Sequence, residues 1–90
     1  MIDADELRTA YFYAYDGKGK KYYLTEYIGE GIGHIITPEE GLIYACRVGT
    51  STYIATNGKT YSNSKEKIEL YNKEEYKAEA FMKMASLGLM

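Results

Sequence analysis

The segment that most resembles a functional motif lies at 28–34, where IGEGIGH places three glycines at alternate positions before the only histidine. A glycine-rich loop binds phosphate when it leads from a strand into a helix whose N-terminus faces the anion. The dinucleotide fingerprint G-x-G-x-x-G and the Gly-Lys-Ser/Thr ending of a P-loop are both missing from this sequence. The glycines therefore indicate a flexible connection between two hairpins.

His34 and Cys46 are the remaining candidates for nucleophilic chemistry. A cysteine–histidine pair needs side chains in hydrogen-bond contact and a third group that orients the imidazole. A four-residue turn at 38–41 would place Ala45 opposite His34, so that the Cys46 side chain points to the other face of the sheet. Cys46 also lies in an apolar run, which is typical of a buried small residue. We expect no enzymatic activity.

Metal binding is also disfavoured, because one histidine and one cysteine leave mainly carboxylates as ligands. The acidic clusters at 3–6, 39–40 and 74–75 lack the spacing and central glycine of a calcium loop. A single cysteine permits no intramolecular disulfide, which fits a reducing compartment. The sequence predicts no metal and no cofactor.

The length and charge of the chain limit its partners. Ninety residues make one domain, predicted to span 1–90, and the net charge of −2 with mixed signs supplies no positive field for a phosphate backbone. Nucleic acid is therefore an unlikely partner. The start MIDADELR is acidic where a signal peptide needs a basic segment, and no apolar stretch has membrane-spanning length. We expect a cytoplasmic protein with no membrane partner.

The first hairpin is predicted from alternating residues at 9–15 and 21–28, joined by DGKGK at 16–20. A five-residue loop pairs odd positions with odd positions. One face then carries Tyr11, Tyr13, Tyr15, Tyr23, Thr25 and Tyr27. The other face carries Ala10, Phe12, Ala14, Leu24 and Ile28, and the small alanines leave room for a helix.

Two more hairpins follow. Short apolar runs at 34–37 and 42–48 flank PEEG, which suits a four-residue turn, although Thr37 and Pro38 could instead begin a helix that ends at Arg47. Gly41 and the β-rich run favour strands. Asn57-Gly58 predicts a two-residue turn between 51–56 and 59–63, so 42–63 form a three-stranded meander.

The C-terminal part is predicted to be a helix at about 73–87, with Asn72 as N-cap and Gly88 as terminator. Its apolar face carries Tyr76, Ala80, Met84 and Leu87. Residues 67–71 fit either a last strand or an extra turn of this helix. The predicted fold is α+β: an antiparallel sheet of about five or six short strands within 9–71, with one amphipathic helix packed on one face.

Tyrosine is the compositional anomaly, with eleven tyrosines and no tryptophan. Tyr44, Tyr53, Tyr61 and Tyr76 are expected to line half-buried rims of the sheet. Five further tyrosines, Tyr11, Tyr13, Tyr15, Tyr23 and Tyr27, are predicted to form a stripe on the face away from the helix. Exposed patches of this kind mark interfaces. We expect the stripe to bind a larger protein, with Glu30 and Ile32 of the glycine-rich loop adding contacts.

The leading functional hypothesis is thus a non-catalytic binding module. In size and style, though in no motif, it matches inhibitors that phages and mobile elements direct against bacterial defence nucleases, such as anti-CRISPR proteins. One alternative is a self-assembling structural subunit whose tyrosine face pairs with a second copy. Another is a protein that sequesters a small ligand or nucleotide in a pocket between subunits under the glycine-rich loop.

Overall fold

The computed structural model describes the backbone of residues 9–27 and 31–90 and the side chains of residues 13–26 and 31–90. Within these residues the chain forms six antiparallel strands followed by two helices. The strands are β1 (Thr9–Tyr15), β2 (Lys21–Tyr27), β3 (Ile32–Thr37), β4 (Gly41–Gly49), β5 (Thr52–Ala55) and β6 (Thr60–Ser62). The helices are α1 (Lys65–Tyr71) and α2 (Glu74–Ser86).

The strands form a closed barrel in chain order, and β6 returns to β1 through the pair Tyr15 and Ser62. The predicted α+β class, with antiparallel strands and a C-terminal helix, is confirmed, whereas barrel closure was not predicted. Closure turns the two faces of the sheet into an interior and an outer surface. Each strand therefore alternates between core residues and residues of the outer surface.

The barrel interior combines large tyrosines with small alanines. It contains Ala14, Tyr22, Leu24, Ile35, Ala45, Tyr53, Ala55 and Tyr61. Small and large residues alternate because a narrow barrel leaves little room at its axis. The prediction that Tyr53 and Tyr61 line half-buried rims is wrong, since both are fully buried. Ala14 likewise makes room for interior rings and not for a helix.

The first hairpin has the predicted register, with Tyr13 opposite Tyr23 and Tyr15 opposite Lys21. Asp16 closes its five-residue loop by accepting hydrogen bonds at Oδ1 from the backbone N–H groups of Lys18 and Lys20, both at 2.9 Å. An aspartate at the start of a loop commonly makes such bonds to the residues that follow it.

The second hairpin is made of strands, as predicted, so the helical alternative is wrong. Its turn is one residue shorter than predicted, because Thr37 pairs with Gly41 across a three-residue loop. Gly41 has a φ of 71°, the left-handed conformation that follows a tight turn in three-residue hairpin loops. Consequently Tyr44, and not Ala45, lies opposite His34.

The Asn57-Gly58 hairpin deviates in the opposite direction, with a loop one residue longer than predicted. The predicted two-residue turn is wrong, since the Ala55 N–H donates to the Lys59 carbonyl at 3.1 Å and encloses three residues. Gly58 has a φ of 82° and its N–H donates to the Ala55 carbonyl at 2.9 Å. The predicted meander of β4, β5 and β6 is nevertheless confirmed.

Residues 65–71 form a separate helix, which neither of the two predictions for 67–71 anticipated. The side chain of Ser64 caps α1 by accepting a hydrogen bond from the Lys67 N–H. Asn72 terminates α1, so its predicted role as N-cap of the next helix is wrong. Lys73 takes the N-cap position of α2 and makes no side-chain capping bond.

Helix α2 packs outside the barrel over β4 and β5, and not on the face that carries Ala14. Its Ala80 and Met84 cover Ile32, Cys46 and Ile54. Leu87, predicted on the apolar face, is exposed. Gly88 ends the helix as predicted, in a left-handed conformation. The following N–H group, that of Leu89, donates to the Met84 carbonyl at 2.9 Å. Leu89 packs against the apolar cluster beneath the helix.

We expect Gly41→Ala and Gly58→Ala each to lower the free energy of unfolding by about 1 kcal/mol, because alanine is strained at positive φ. An added Cβ meets no atom within 4 Å at Gly41 and makes an ordinary 3.9 Å contact with Phe81 at Gly58, so the loss arises in the backbone. Urea denaturation measures it.

The matched control is Gly17→Ala. Gly17 has no left-handed φ, and its added Cβ would lie 4.0 Å from Ile68 Cγ2, an ordinary contact. This variant should be as stable as the parent or slightly more stable. Equal stability of all three alanine variants would contradict the explanation given for the two short loops.

Candidate functional site

The outer surface of the first hairpin carries exposed tyrosines. Tyr13, Tyr15 and Tyr23 are 44%, 38% and 69% exposed. Tyr13 lies directly opposite Tyr23, with ring centroids 4.7 Å apart and hydroxyl oxygens 3.2 Å apart. The two rings support each other outside the core. The side chains of Tyr11 and Tyr27, predicted for the same stripe, lie outside the described residues.

Lys21 adds a positive charge to this surface. Its ammonium group lies 3.8 Å from the centroid of the Tyr13 ring, within cation–π distance. The hydrogen bond with Tyr13 also raises the pKa of the Tyr23 hydroxyl. The pair presents two hydrogen-bonded phenol groups beside one cation, a combination suited to both apolar and polar contacts.

The exposed surface continues onto β3 and β4, which the sequence analysis missed. Ile36 and Leu42 are 62% and 54% exposed and lie opposite each other. Strands β2 and β3 pair Leu24 with Ile35, so the same register places Ile36 beside Tyr23. Four side chains thus cross four neighbouring strands, and we call them the cross-strand row. The row consists of Tyr13, Tyr23, Ile36 and Leu42.

The register of the second hairpin explains why the row was missed. With the predicted four-residue turn, Ile36 and Leu42 would have pointed to opposite faces of the sheet. The observed three-residue loop places both on the outer surface, and Tyr44 follows Leu42 on the same face at 38% exposure. Together these side chains expose several hundred Å² of mainly apolar surface, as much as the largest patch on a typical monomer.

The predicted contribution of the glycine-rich loop is not supported at Ile32, which is only 5% exposed and packs against Cys46 beneath α2. Glu30 lies outside the described residues. Gly33 lies within β3, so it is not part of a flexible connection as predicted. A Cβ there would lie 2.1 Å from the Thr25 carbonyl oxygen, so glycine allows β3 to approach β2.

His34 and Cys46 both occupy outward positions on neighbouring strands, so the prediction that they point to opposite faces is wrong. Cys46 nevertheless lies under α2, and its thiol contacts the Arg47 carbonyl oxygen at 3.7 Å. Burial raises the pKa of this thiol. A buried, protonated thiol is a poor nucleophile. The geometry at Cys46 favours a packing role.

A buried carboxylate, Glu26, lies inside the barrel and is 4% exposed. Its Oε2 accepts a hydrogen bond from the Tyr53 hydroxyl, and its Oε1 lies 3.2 Å from Arg47 Nη1. Burial and the contact with Glu26 raise the pKa of Tyr53, which remains a neutral donor. A cavity of about 270 Å³ adjoins this group. Oε1 accepts no hydrogen bond from the described residues, but its ion pair with Arg47 offsets the charge of the carboxylate. With Tyr53 bound to Oε2, the cluster is best explained as a support for the interior.

At the opposite side of the interior, Tyr22 is bound to the first loop. Its hydroxyl donates to Asp16 Oδ2 at 3.1 Å. Burial, followed by this hydrogen bond, raises the pKa of Tyr22 to about 12. Burial opposes ionisation of Asp16, but the backbone N–H groups of Lys20 and Lys18 outweigh it and lower the pKa of that carboxyl group. The pair is therefore a neutral phenol donating to a carboxylate.

Comparison with protein-family models, curated proteins and solved structures gives no match to this chain. Among residues 9–27 and 31–90, no helix is both long and apolar enough to span a membrane. The same residues contain no cluster of three histidine, cysteine, aspartate or glutamate side chains suited to a metal ion. Function has to be inferred from the surface and cavities described here.

We expect Tyr22→Phe to lower stability by about 1 kcal/mol near neutral pH, because Asp16 loses a hydrogen-bond donor. The folded-state pKa of Tyr22 is raised from 10.0 to about 12, so ionisation of the phenol favours unfolding. The stabilisation is complete below pH 10.0 and is lost as pH rises towards about 12.

Urea denaturation of the parent and Tyr22→Phe at about pH 8 and about pH 11 tests this expectation. The stability difference between the two proteins should shrink at the higher pH. An unchanged difference would show that the Tyr22 phenol is not responsible for the pH dependence.

Proposed function

We propose that this protein is a non-catalytic binding module that engages a larger protein through the outer surface of β1–β4. The cross-strand row is the observation that carries the proposal. Its members are large, exposed and adjacent, and they are held on paired strands of a closed barrel. A rigid surface loses little conformational entropy on binding.

The composition of the row favours a protein partner over nucleic acid. Tyrosine gives a large contact area with few rotatable bonds and is enriched where proteins bind one another. Stacking of single-stranded bases normally requires a positively charged groove along the phosphate backbone. Here the net charge is −2, and the basic side chain with a described contact to the row is Lys21, against the Tyr13 ring.

The charge at the edge of the row specifies the partner further. Lys21 lies against Tyr13, so a carboxylate on the partner can approach both the ammonium group and the phenol hydroxyls. The matching surface is therefore apolar in the middle, where it meets Tyr23 and Ile36, and acidic at the edge that meets Lys21. The partner proposed here is a protein with that surface.

In its most specific form, the proposal is that the module inhibits a larger bacterial enzyme, such as a defence nuclease complex. A small barrel can block a substrate channel or an assembly surface by occupying it, and this requires no catalytic group. The support for this form is the small size of the domain together with an exposed row on a rigid scaffold.

Replacing both Tyr13 and Tyr23 by serine should weaken partner binding at least tenfold, because these rings lie together in the row. The control is Met82→Ser, since Met82 is also a large hydrophobic residue, is 73% exposed and lies on α2. Each protein is immobilised and exposed to bacterial lysate, and mass spectrometry identifies proteins retained by the parent and Met82→Ser but lost with the double variant.

The identified partner is then purified and titrated against all three proteins by calorimetry, after circular dichroism has shown that each is folded. Equal affinity for the parent and the Tyr13/Tyr23 variant would contradict the proposed surface. Sedimentation of the parent alone tests the self-assembly alternative. A parent dimer that the double variant disrupts, with no other protein retained, would replace the present proposal.

A further inference from the structure

A cavity of about 460 Å³ lies where the three hairpin loops meet, and α1 forms part of its wall. A second cavity of about 270 Å³ adjoins it and shares Asp16, Lys18 and Ile68. The larger volume falls within the range of small-molecule sites. None of the four cross-strand row residues lines either cavity, so the inference below is independent of the proposed protein-binding surface.

The charges in the larger cavity favour an anion. Three lysines line it, Lys18 and Lys20 from the first loop and Lys59 from the third, together with the carboxylates of Asp16 and Glu39. The Asp16 carboxylate is already engaged by two backbone N–H groups and by the Tyr22 hydroxyl. Both of its oxygens thus already accept hydrogen bonds from the protein, whereas lysine ammonium groups can each donate several bonds to a ligand.

The cavity also has an apolar side suited to an organic group. Tyr22 and Ile68, both of which line the cavity, are buried side chains. The Lys20 ammonium group lies 5.5 Å from the centroid of the Tyr22 ring, so cation and aromatic surface are adjacent. A ligand with a phosphoryl group attached to an apolar or planar body would contact both features at once.

We propose that this cavity binds a small phosphate-bearing molecule, with its phosphoryl oxygens at Lys18, Lys20 and Lys59 and its organic body against Tyr22 and Ile68. The backbone geometry of the first loop supports this arrangement. The bonds from Lys18 N–H and Lys20 N–H to Asp16 hold the two lysines on one turn of chain. The backbone of the first loop therefore needs little reorganisation when the anion arrives.

The test is an NMR titration of the whole protein, labelled with nitrogen-15, in about 0.15 M salt. The probes are inorganic pyrophosphate and ATP. We expect saturable shifts in the backbone amides of residues 16–20 and 58–60. The double variant Lys18→Gln/Lys59→Gln should bind both probes about tenfold more weakly, because two charge-assisted contacts are removed.

Lys77→Gln is the control for a change in net charge, since Lys77 lies on α2 and lines neither cavity. It should bind both probes as the parent does. Tighter binding of ATP than of pyrophosphate, with shifts at the Tyr22 ring, would support the organic contact. Equal affinities for ATP and pyrophosphate would show that the site contacts only the phosphoryl group, which contradicts the proposed organic contact.

The proposal is overturned if neither probe saturates by about 10 mM, or if the lysine double variant binds as tightly as Lys77→Gln. Urea denaturation of each variant verifies that the barrel is intact. If the double variant is unfolded, Lys18→Gln alone supplies the comparison, because its side chain lies on an exposed loop. Binding unchanged in that variant would likewise overturn the proposed site.

Discussion

The rest of the structure depends on the need to bury three tyrosines inside a narrow barrel and still satisfy their hydroxyl groups. Tyr22, Tyr53 and Tyr61 fill the interior, where an unbonded phenol would be costly. Each reaches a polar partner: Asp16 for Tyr22, Glu26 for Tyr53 and Asn57 for Tyr61. Two of these partners, Asp16 and Asn57, lie in hairpin loops. Packing of the interior therefore constrains loop sequences that would otherwise be free to vary.

The same partners organise the lysine-lined cavity. Asp16 binds the Tyr22 hydroxyl with one oxygen and the backbone of the first loop with the other, so the core residue and the loop are ordered together. Asn57 makes an equivalent connection, because its amide donates to both the Tyr61 hydroxyl and Glu40 of the second loop. A binding surface made of loops can thus be as well positioned as one made of strands.

The register of the first hairpin was predicted because the turn-forming run from Asp16 to Lys20 fits a five-residue loop. The other two hairpins were predicted to exist, but their registers were displaced by one residue. Gly41 and Gly58 both adopt a left-handed conformation, and both loops contain three residues. The second loop is therefore one residue shorter, and the third one residue longer, than the turn assumed from sequence. Barrel closure had no local signal, since β1 and β6 meet through one residue pair distant in the chain. The cross-strand row depended on that missed register and therefore could not be predicted.

The division of the first hairpin into a buried face and an exposed face follows from strand geometry. Tyr22 and Tyr23 are adjacent in sequence, yet Tyr22 is 6% exposed and Tyr23 is 69% exposed. Alternation along β2 places one ring in the core and the next on the outer surface. Loss of the inner ring would leave a cavity, whereas the outer ring contacts mainly Tyr13 and solvent. The outer positions can therefore change to suit a partner while the interior keeps the barrel closed, which is why a single tyrosine-rich hairpin can contribute to both.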